Sequence, residues 1–439
     1  MPQSSNIDGK PPAPPGANAT LDQWLSYLES IHPADIDLGL DRVLLVFRRL
    51  FPRKPRARII TVAGTNGKGS AVAAIEALLQ TAGRKTGAYT SPHLHRYNER
   101  VRLNGSEIAD EALVRAFEAV EQARGNTTLT YFEFGTLAAF VAFAEAGVED
   151  WLLEVGLGGR LDAVNVLDAD FAIITSVDID HVDFLGTDRE VIGFEKAGIL
   201  RPGIPAVYAD EDTPRSVLQQ VAAQKVALEL FGRDYRLALP EDGAVGDAAK
   251  AHLEHRGETI RFPAGPLPVK SVAAAVVAVR SLEPQLDVEQ IETTLMGLSV
   301  PGRFEQLADR PVTLVDVGHN PHAATWLADR LASMRLDGQR VVAVYAALGN
   351  KDVEGVAAAM GTVVDEWFLA PLRVPRGLDI ETLAERVGSA GIAAPRQCES
   401  VAAAIEAARE SAGVDGLVIV FGSFFTVAEA RDVLQGDRS

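Results

Sequence analysis

The run Ile59-Ile60-Thr61-Val62-Ala63 passes directly into Gly64-Thr65-Asn66-Gly67-Lys68-Gly69-Ser70, and an Ala/Leu-rich stretch follows from Ser70 to about Ala82. The first five residues are apolar or β-branched and stop at glycine, which predicts a short buried strand. Strand, glycine turn and helix together open a parallel α/β unit. Glycines let the backbone turn and aim several N–H groups at a phosphate. The helix adds its positive end, and Lys68 can neutralise β- and γ-phosphates. The spacing departs from the strict phosphate-loop pattern: Val62 stands where the first glycine would be, and the hydroxyl comes one place late, at Ser70 after Gly69. A glycine-rich turn with a solvated lysine is the plainer alternative; the strand-to-helix context favours nucleotide binding.

Outward from this unit the alternation continues. Upstream, Leu21, Leu25, Leu28 and Ile31 keep helical spacing beside Trp24, and a second helix runs through Leu40, Leu44, Leu45, Phe47 and Leu50 and stops before Pro52. Downstream, Trp151-Leu152-Leu153-Glu154-Val155 and Phe171-Ala172-Ile173-Ile174-Thr175 read as strands apolar on both faces, as in a parallel sheet covered on both sides. Between residues 235 and 270 the pattern weakens into scraps that suggest a small antiparallel patch, and Ser271–Leu282 returns as a helix. Val300-Pro301-Gly302-Arg303 interrupts the helices, and strands at Val312–Val317, Val341–Tyr345, Trp367–Ala370 and Leu417–Phe421 alternate with helices beyond it. The expected division is a disordered tail over 1–20, a first α/β domain over 21–299, a linker over 300–310 and a smaller α/β domain over 311–439, with ligands in the cleft between them.

With 439 residues the chain has material for two or three hydrophobic cores. Its formal charge of −18 argues against a protein built to coat nucleic acid or an anionic membrane. An anionic small substrate remains compatible with that charge, because one pocket can be basic inside an acidic whole. Cys398 is the single cysteine, which excludes a disulfide framework and a multi-cysteine zinc site. No apolar run reaches bilayer-spanning length. The first twenty residues lack a basic segment followed by an apolar one, so a cytoplasmic location is expected.

GTNGKGS at 64–70 resembles the ATP loop of the Mur-ligase superfamily in the variant typical of folylpolyglutamate synthases. TSPHL at 90–94, Glu99-Arg100-Val101, EVGLGGRLDAVN at 154–165, and Asp180-His181 followed by Leu185-Gly186 support the resemblance independently. So do EKAGI at 195–199, PGRFE at 301–305, DVGHNPH at 316–322 and FGSFFTV at 421–427. Asp35 to Leu38 (with Ile36 and Asp37) and Thr130, Tyr131, Phe132 and Glu133 are similar to the pterin-contacting stretches of the bifunctional bacterial members. The resemblance implies an N-terminal P-loop ATPase domain with a mostly parallel sheet and a C-terminal Rossmann-like domain. It further implies ATP-dependent addition of L-glutamate to dihydropteroate and to reduced folates through an acyl phosphate, by a protein that acts as a monomer.

On that resemblance, Ser91, Glu154 and His181 match the family's ligands to magnesium, for which up to two sites are expected. Their plainer roles would be a capping serine, an ion-paired carboxylate and a loop histidine. Lys196 matches the lysine that the family carbamylates; pairing with Glu195 is its alternative. Arg303 and Asp316 match ATP-contacting positions, with a hinge salt bridge as the alternative for Arg303. His319 is expected at the glutamate and acyl-phosphate end, near Asn320. Ser271 stands where the family commonly has an asparagine, and one hydroxyl replaces an amide's donor and acceptor, so it is expected to be a weak nucleotide contact. Arg160, Leu161 and Asp162 match the pterin pocket, with a surface salt bridge as the alternative for the two charged ones. Two competing functions, a P-loop kinase or NTPase switch and a peptidoglycan-type Mur ligase, are opposed respectively by the second domain with its own DVGHNPH motif and by the pterin-like stretches.

Overall fold

The computed structural model describes residues 13–16, 18–32, 34, 36–240 and 249–436. Residues 1–12 of the expected tail and Asp35 of the expected pterin loop lie outside that set. The first helix, Leu21–Ser30, opens on Thr20, whose side chain accepts from the Gln23 amide while the Gln23 side chain reaches back to the Thr20 amide.

The first sheet has eight strands in the order 106–107, 101–103, 86–89, 150–154, 58–63, 171–174, 205–208, 227–230. The last six of these are parallel, and the first two are antiparallel additions at one edge. Strand alternation assigns each side chain to one of two cores. Ile59, Ala63, Trp151 and Leu153 pack with the helices Leu21–Ser30, Asp41–Leu50, Asp110–Arg124 and Tyr131–Ala146. Ile60, Val62 and Leu152 pack on the other face against Lys68–Thr81 and Val269–Leu282. Three antiparallel strands, Tyr235–Ala238, Lys250–His255 and Glu258–Pro263, form the small patch between 235 and 270.

The second sheet has six strands in the order 305–309, 312–316, 417–421, 341–345, 366–369, 396–397, all parallel except the first. Its edge strand Glu305–Asp309 falls inside the stretch 300–310 and pairs with Val312–Asp316, so the sheet begins soon after the Pro301-Gly302 turn. Alternation works here as well: Val341, Ala343 and Tyr345 face one core, Val342 and Val344 the other.

At the opposite end of the first sheet from the loops described below, Asp150 is fully buried at the start of its strand. Its carboxylate receives Arg58 Nε at 2.5 Å and Arg84 Nε at 2.7 Å, and Arg58 also reaches Glu283 at 2.7 Å. Removing one member of a buried ion cluster leaves the others uncompensated, which costs about 3 kcal/mol. Asp150→Ala is expected to lower the unfolding free energy by about that amount, read from the denaturant midpoint. A loss below about 0.5 kcal/mol, the range of ordinary surface substitutions, would show that Glu283 and Glu149 satisfy the two arginines without it.

Candidate active site

Both sheets send the carboxyl ends of their strands toward one cleft, the usual ligand position in open α/β sheets. From the strand Arg58–Ala63 the chain enters the glycine loop, where Gly64 has φ 151° and Gly67 has φ 81°. Gly67 caps the helix Lys68–Thr81. That helix starts two residues before the sequence pattern predicts, because the left-handed glycine completes the turn without an apolar signal. A Cβ on Gly64 would lie 1.8 Å from Thr175 Oγ1, and one on Gly67 would lie 2.1 Å from Ser271 Oγ. The loop is clamped from the neighbouring strand. Thr65 Oγ1 donates to Asp178 O at 3.0 Å, the Asn66 amide donates to Ser176 Oγ at 3.1 Å, and Thr175 Oγ1 donates to Asn66 O at 2.6 Å. Lys68 Nζ donates to the carbonyls of Gly64 at 3.0 Å and Thr65 at 3.2 Å. Burial lowers its pKa, while Glu154 and Asp180 act in the other direction.

Glu154 ends its strand with the carboxylate buried, accepting the Ser91 amide at 3.1 Å. Burial raises its pKa against the pull of Lys68 and Arg303. Both carboxylate oxygens lie within 3.8 Å of the Cβ position of Gly69, and Arg303 Nη2 lies 3.9 Å from the same point. The first turn of the phosphate-loop helix, the carboxylate and the guanidinium therefore converge. Arg303 lies over the Phe424 ring at 5.0 Å, and its buried Nη1 has no hydrogen-bond partner among the described residues. Asp316 uses both oxygens on backbone, accepting from Phe304 N at 2.8 Å and Gly318 N at 2.7 Å, and so fixes the turn that carries Arg303. His181 adopts a left-handed conformation with φ 53°. Burial pushes its imidazole down to about 4, with Asp180 opposing, so the ring is neutral and able to ligate a metal. Lys196 is buried on the helix Arg189–Ala197, and burial, assisted by Lys68, pushes its ammonium down to about 7. Its expected alternative partner is taken: Glu195 pairs with Arg160 at 2.8 Å.

A cavity of about 210 Å³ opens beside these groups. Ile36, Asp37, Leu38, Thr130, Phe132, Glu133, Leu161 and Asp162 of the expected pterin set line it, together with Ser91, Arg100 and His181. Tyr131 and Arg160 do not. The Tyr131 ring packs edge-on against Tyr97, and Arg160 lies at the surface on Glu195 and over Phe194. Thr130 and Glu133 form a reciprocal cap on the helix Tyr131–Ala146, and Glu133 also holds Arg42 at 2.9 Å. Asp162 accepts the amides of Leu157 and Val164, and burial pushes its carboxyl up to about 6.

Three residues outside the expected set organise the cleft. Asp180 receives Lys351 Nζ at 2.7 Å and Asn320 Nδ2 at 3.1 Å, with His319 Nε2 at 3.5 Å. Asn320 also exchanges amide hydrogen bonds of 3.0 Å with Asn66 of the phosphate loop. His319 places Nδ1 2.9 Å from Val317 O. Arg42 ties Asp37 of the cavity loop to Glu133. The T-x-x-E capping signature at Thr130–Glu133 was readable in the sequence; the partners of Asp180 and Arg42 lie too far along the chain to be.

Residues 62–271 match the Mur ligase middle domain family and residues 302–424 match the Mur ligase glutamate ligase domain. The chain is 42% identical over 427 residues to the dihydrofolate synthase/folylpolyglutamate synthase of Escherichia coli K12, covering 97% of this chain and 98% of that protein. It is similar to the structure of E. coli FolC in complex with DHPP and ADP, with TM-score 0.91, 40% identity and 97% of this chain and 100% of that one covered. It is likewise similar to a bifunctional folylpolyglutamate synthase/dihydrofolate synthase with Mn, AMPPNP and L-glutamate bound, with TM-score 0.88, 40% identity, and 96% and 100% covered. The chain belongs to the dihydrofolate synthase/folylpolyglutamate synthase family of Mur ligases.

Proposed function

We propose that this protein is an ATP-dependent amide ligase that adds L-glutamate to dihydropteroate, giving dihydrofolate, and to the terminal glutamate of reduced folates, acting as a cytoplasmic monomer. The observation that carries the reading is the junction at Ser91 and His181, where the apolar cavity meets the phosphate loop and Glu154. No helix among the described residues is long and apolar enough to cross a membrane.

In this reading residues 21–299 bind ATP and pterin, and 311–439 bring the glutamate side. The cavity takes the pterin, with Phe132 and Leu161 as apolar wall and the Asp162 carboxyl as its polar group. The substrate's carboxylate then points toward Ser91 and attacks the γ-phosphorus of ATP, forming the acyl phosphate and releasing ADP. The glutamate amine attacks the acyl carbon, and the tetrahedral intermediate expels phosphate. Lys68, the glycine-loop amides and Arg303 balance the charge on the phosphates. Ser271, against Gly67, contributes a lesser nucleotide contact. Asp316 serves by holding the Arg303 turn, and His319 with Asn320 faces the incoming amine. Enclosure between the two sheets keeps water from the acyl phosphate.

The donor set suits a hard divalent cation. The Ser91 hydroxyl and the neutral His181 imidazole belong to residues lining the cavity, and the buried Glu154 carboxylate adjoins them through its hydrogen bond from the Ser91 amide. Bound there, magnesium supplies positive charge to the phosphate oxygens and the reacting carboxylate. An amine pushed down to about 7 is substantially neutral at physiological pH, as Lys196 must be to add carbon dioxide and become a carbamate.

Purified protein with ATP, magnesium, L-glutamate and either dihydropteroate or tetrahydrofolate is expected to release phosphate only when both co-substrates are present. ATP turnover without them would point to a switch. Lys68→Ala is expected to cut turnover on the order of 100-fold or more while leaving the thermal transition near that of wild type; near wild-type turnover would remove Lys68 from the phosphate site. Glu154→Ala is expected to weaken the magnesium dependence of turnover more than nucleotide affinity, and an unchanged magnesium titration would take Glu154 out of the metal site.

Lys196 also gives a pH signature. Its folded value of about 7 lies below the unfolded value of about 10.4, so the unfolded chain binds more protons between these limits and stability rises with pH there. The penalty is full below pH 7 and gone above about 10.4. Lys196→Met is therefore expected to stabilise the protein at pH 7 in carbonate-free buffer, with the gain shrinking as pH rises to 10. A gain independent of pH would show that the ammonium is not desolvated.

A further inference from the structure

Arg100 lines the cavity, and the reaction as derived above does not use it. It is the one lysine or arginine among the described residues of the cavity wall. Arginines on either side in the sequence hold carboxylates: Arg96 pairs with Asp110 at 3.0 Å and Arg102 with Glu76 at 2.9 Å. Arg100 pairs with no carboxylate among the described residues. Its Nε donates to His93 Nδ1 at 2.8 Å, and its guanidinium lies 5.3 Å from the Tyr97 ring centre and 5.8 Å from that of Tyr131. The side chain is thus held by Nε, by a hydrogen bond to the Tyr89 hydroxyl and along its faces, and its remaining N–H donors are available to a ligand. The Arg100 carbonyl accepts the Thr90 amide at 2.9 Å, so the residue sits beside Ser91 at the reacting end of the cavity.

A half-buried guanidinium with no acid partner among the described residues has the capacity to receive an anion. A planar fork that cannot lose its proton suits a carboxylate held in one orientation. A bidentate guanidinium contact engages one lone pair on each carboxylate oxygen and draws charge from both, so it suits a carboxylate that is held better than one that must attack phosphorus. Dihydropteroate has that one carboxylate only. A folate ending in glutamate has two, the α- and the γ-carboxylate, joined by a short methylene arm. One of the pair has to be held aside for the other to react.

We propose that Arg100 receives the α-carboxylate of the terminal glutamate of a folate substrate and thereby presents the γ-carboxylate for phosphorylation. The inference rests on the ligase reading given above. It makes Arg100 a specificity residue for the polyglutamate reaction rather than a part of the amide-forming chemistry.

The test compares wild type, Arg100→Gln and Arg100→Lys with dihydropteroate, tetrahydrofolate and tetrahydrofolate carrying an α-carboxamide, each with ATP, magnesium and glutamate. Arg100→Gln is expected to shift kcat/KM away from tetrahydrofolate relative to dihydropteroate by on the order of 10-fold or more, chiefly through KM, with Arg100→Lys in between. Wild type is expected to disfavour the α-amide by a similar factor, and Arg100→Gln to treat acid and amide alike. Equal losses with both natural substrates, or a wild type indifferent to the α-amide, would overturn the assignment. Where the glutamine variant does not fold, Arg100→Lys carries the same comparison, with a reduced preference for acid over amide expected and an unchanged preference overturning the assignment. Failure of wild type to turn over either natural substrate with glutamate would instead refute the ligase reading, a separate result.

Discussion

Asp180 is the carboxylate on which the contact between the two sheets depends. Burial alone would raise its pKa, yet the His319 hydrogen bond and the charge of Lys351 hold it well below the usual carboxylate range. Both of those groups come from the second sheet, while Asp180 itself leaves the strand Phe171–Ile174 of the first. Lys351 is in turn 9% exposed, so neither charge has much recourse to water. A buried pair of this kind is strongly destabilising to break, because the surviving member stays uncompensated. Its neighbours inherit the constraint. Asn320 bonds to Asp180 and to Asn66 together, which locks the phosphate loop to the second domain. His181 follows Asp180 directly and takes its orientation from the same turn.

This arrangement explains how a chain of net charge −18 can accept ATP, a carboxylate and glutamate in one place. The cations are few and buried or half-buried. Lys68, Arg303, Lys351, Lys196 and Arg100 all stand in or beside the cleft, where low dielectric strengthens each interaction with an anion. Surface acidity at greater distance is screened by salt within roughly 8–10 Å. The net charge therefore describes the outside of the molecule, and the cleft follows its own local balance.

Much of this was legible along the chain because it is local. The buried strands at 59–63, 171–174, 341–345 and 417–421 announce themselves through β-branched runs ending in glycine or polar residues. The loop geometry follows from Gly64 and Gly67, whose conformations exclude most side chains. Strands such as Val101–Leu103, Ser106–Glu107 and Ala227–Leu230 are short, lie at or next to the edges of the first sheet and are largely not buried, and no periodicity marks them. The stretch TYFE shows how one segment carries two roles. Phe132 faces the cavity, while Thr130 and Glu133 cap the helix that presents it and Glu133 anchors Arg42. Pairings such as Asp180 with Lys351 join positions 171 residues apart, and only the assembled fold brings them together.

The unsatisfied atoms point the same way as the charges. Among the described residues, some buried atoms without hydrogen-bond partners, Trp24 Nε1 and Tyr345 Oη among them, lie in the cores. Ser70 Oγ and Arg303 Nη1 are buried without such partners beside the phosphate loop, an arrangement that costs about 1–3 kcal/mol for each group. A sequence selected for stability alone would pair these groups or replace them with apolar ones. Their retention beside Glu154, itself a buried carboxylate with a single direct hydrogen bond, concentrates uncompensated polarity where ligands with complementary charge would sit. Binding of a ligand of complementary charge then gains from contacts that the protein alone leaves unmade.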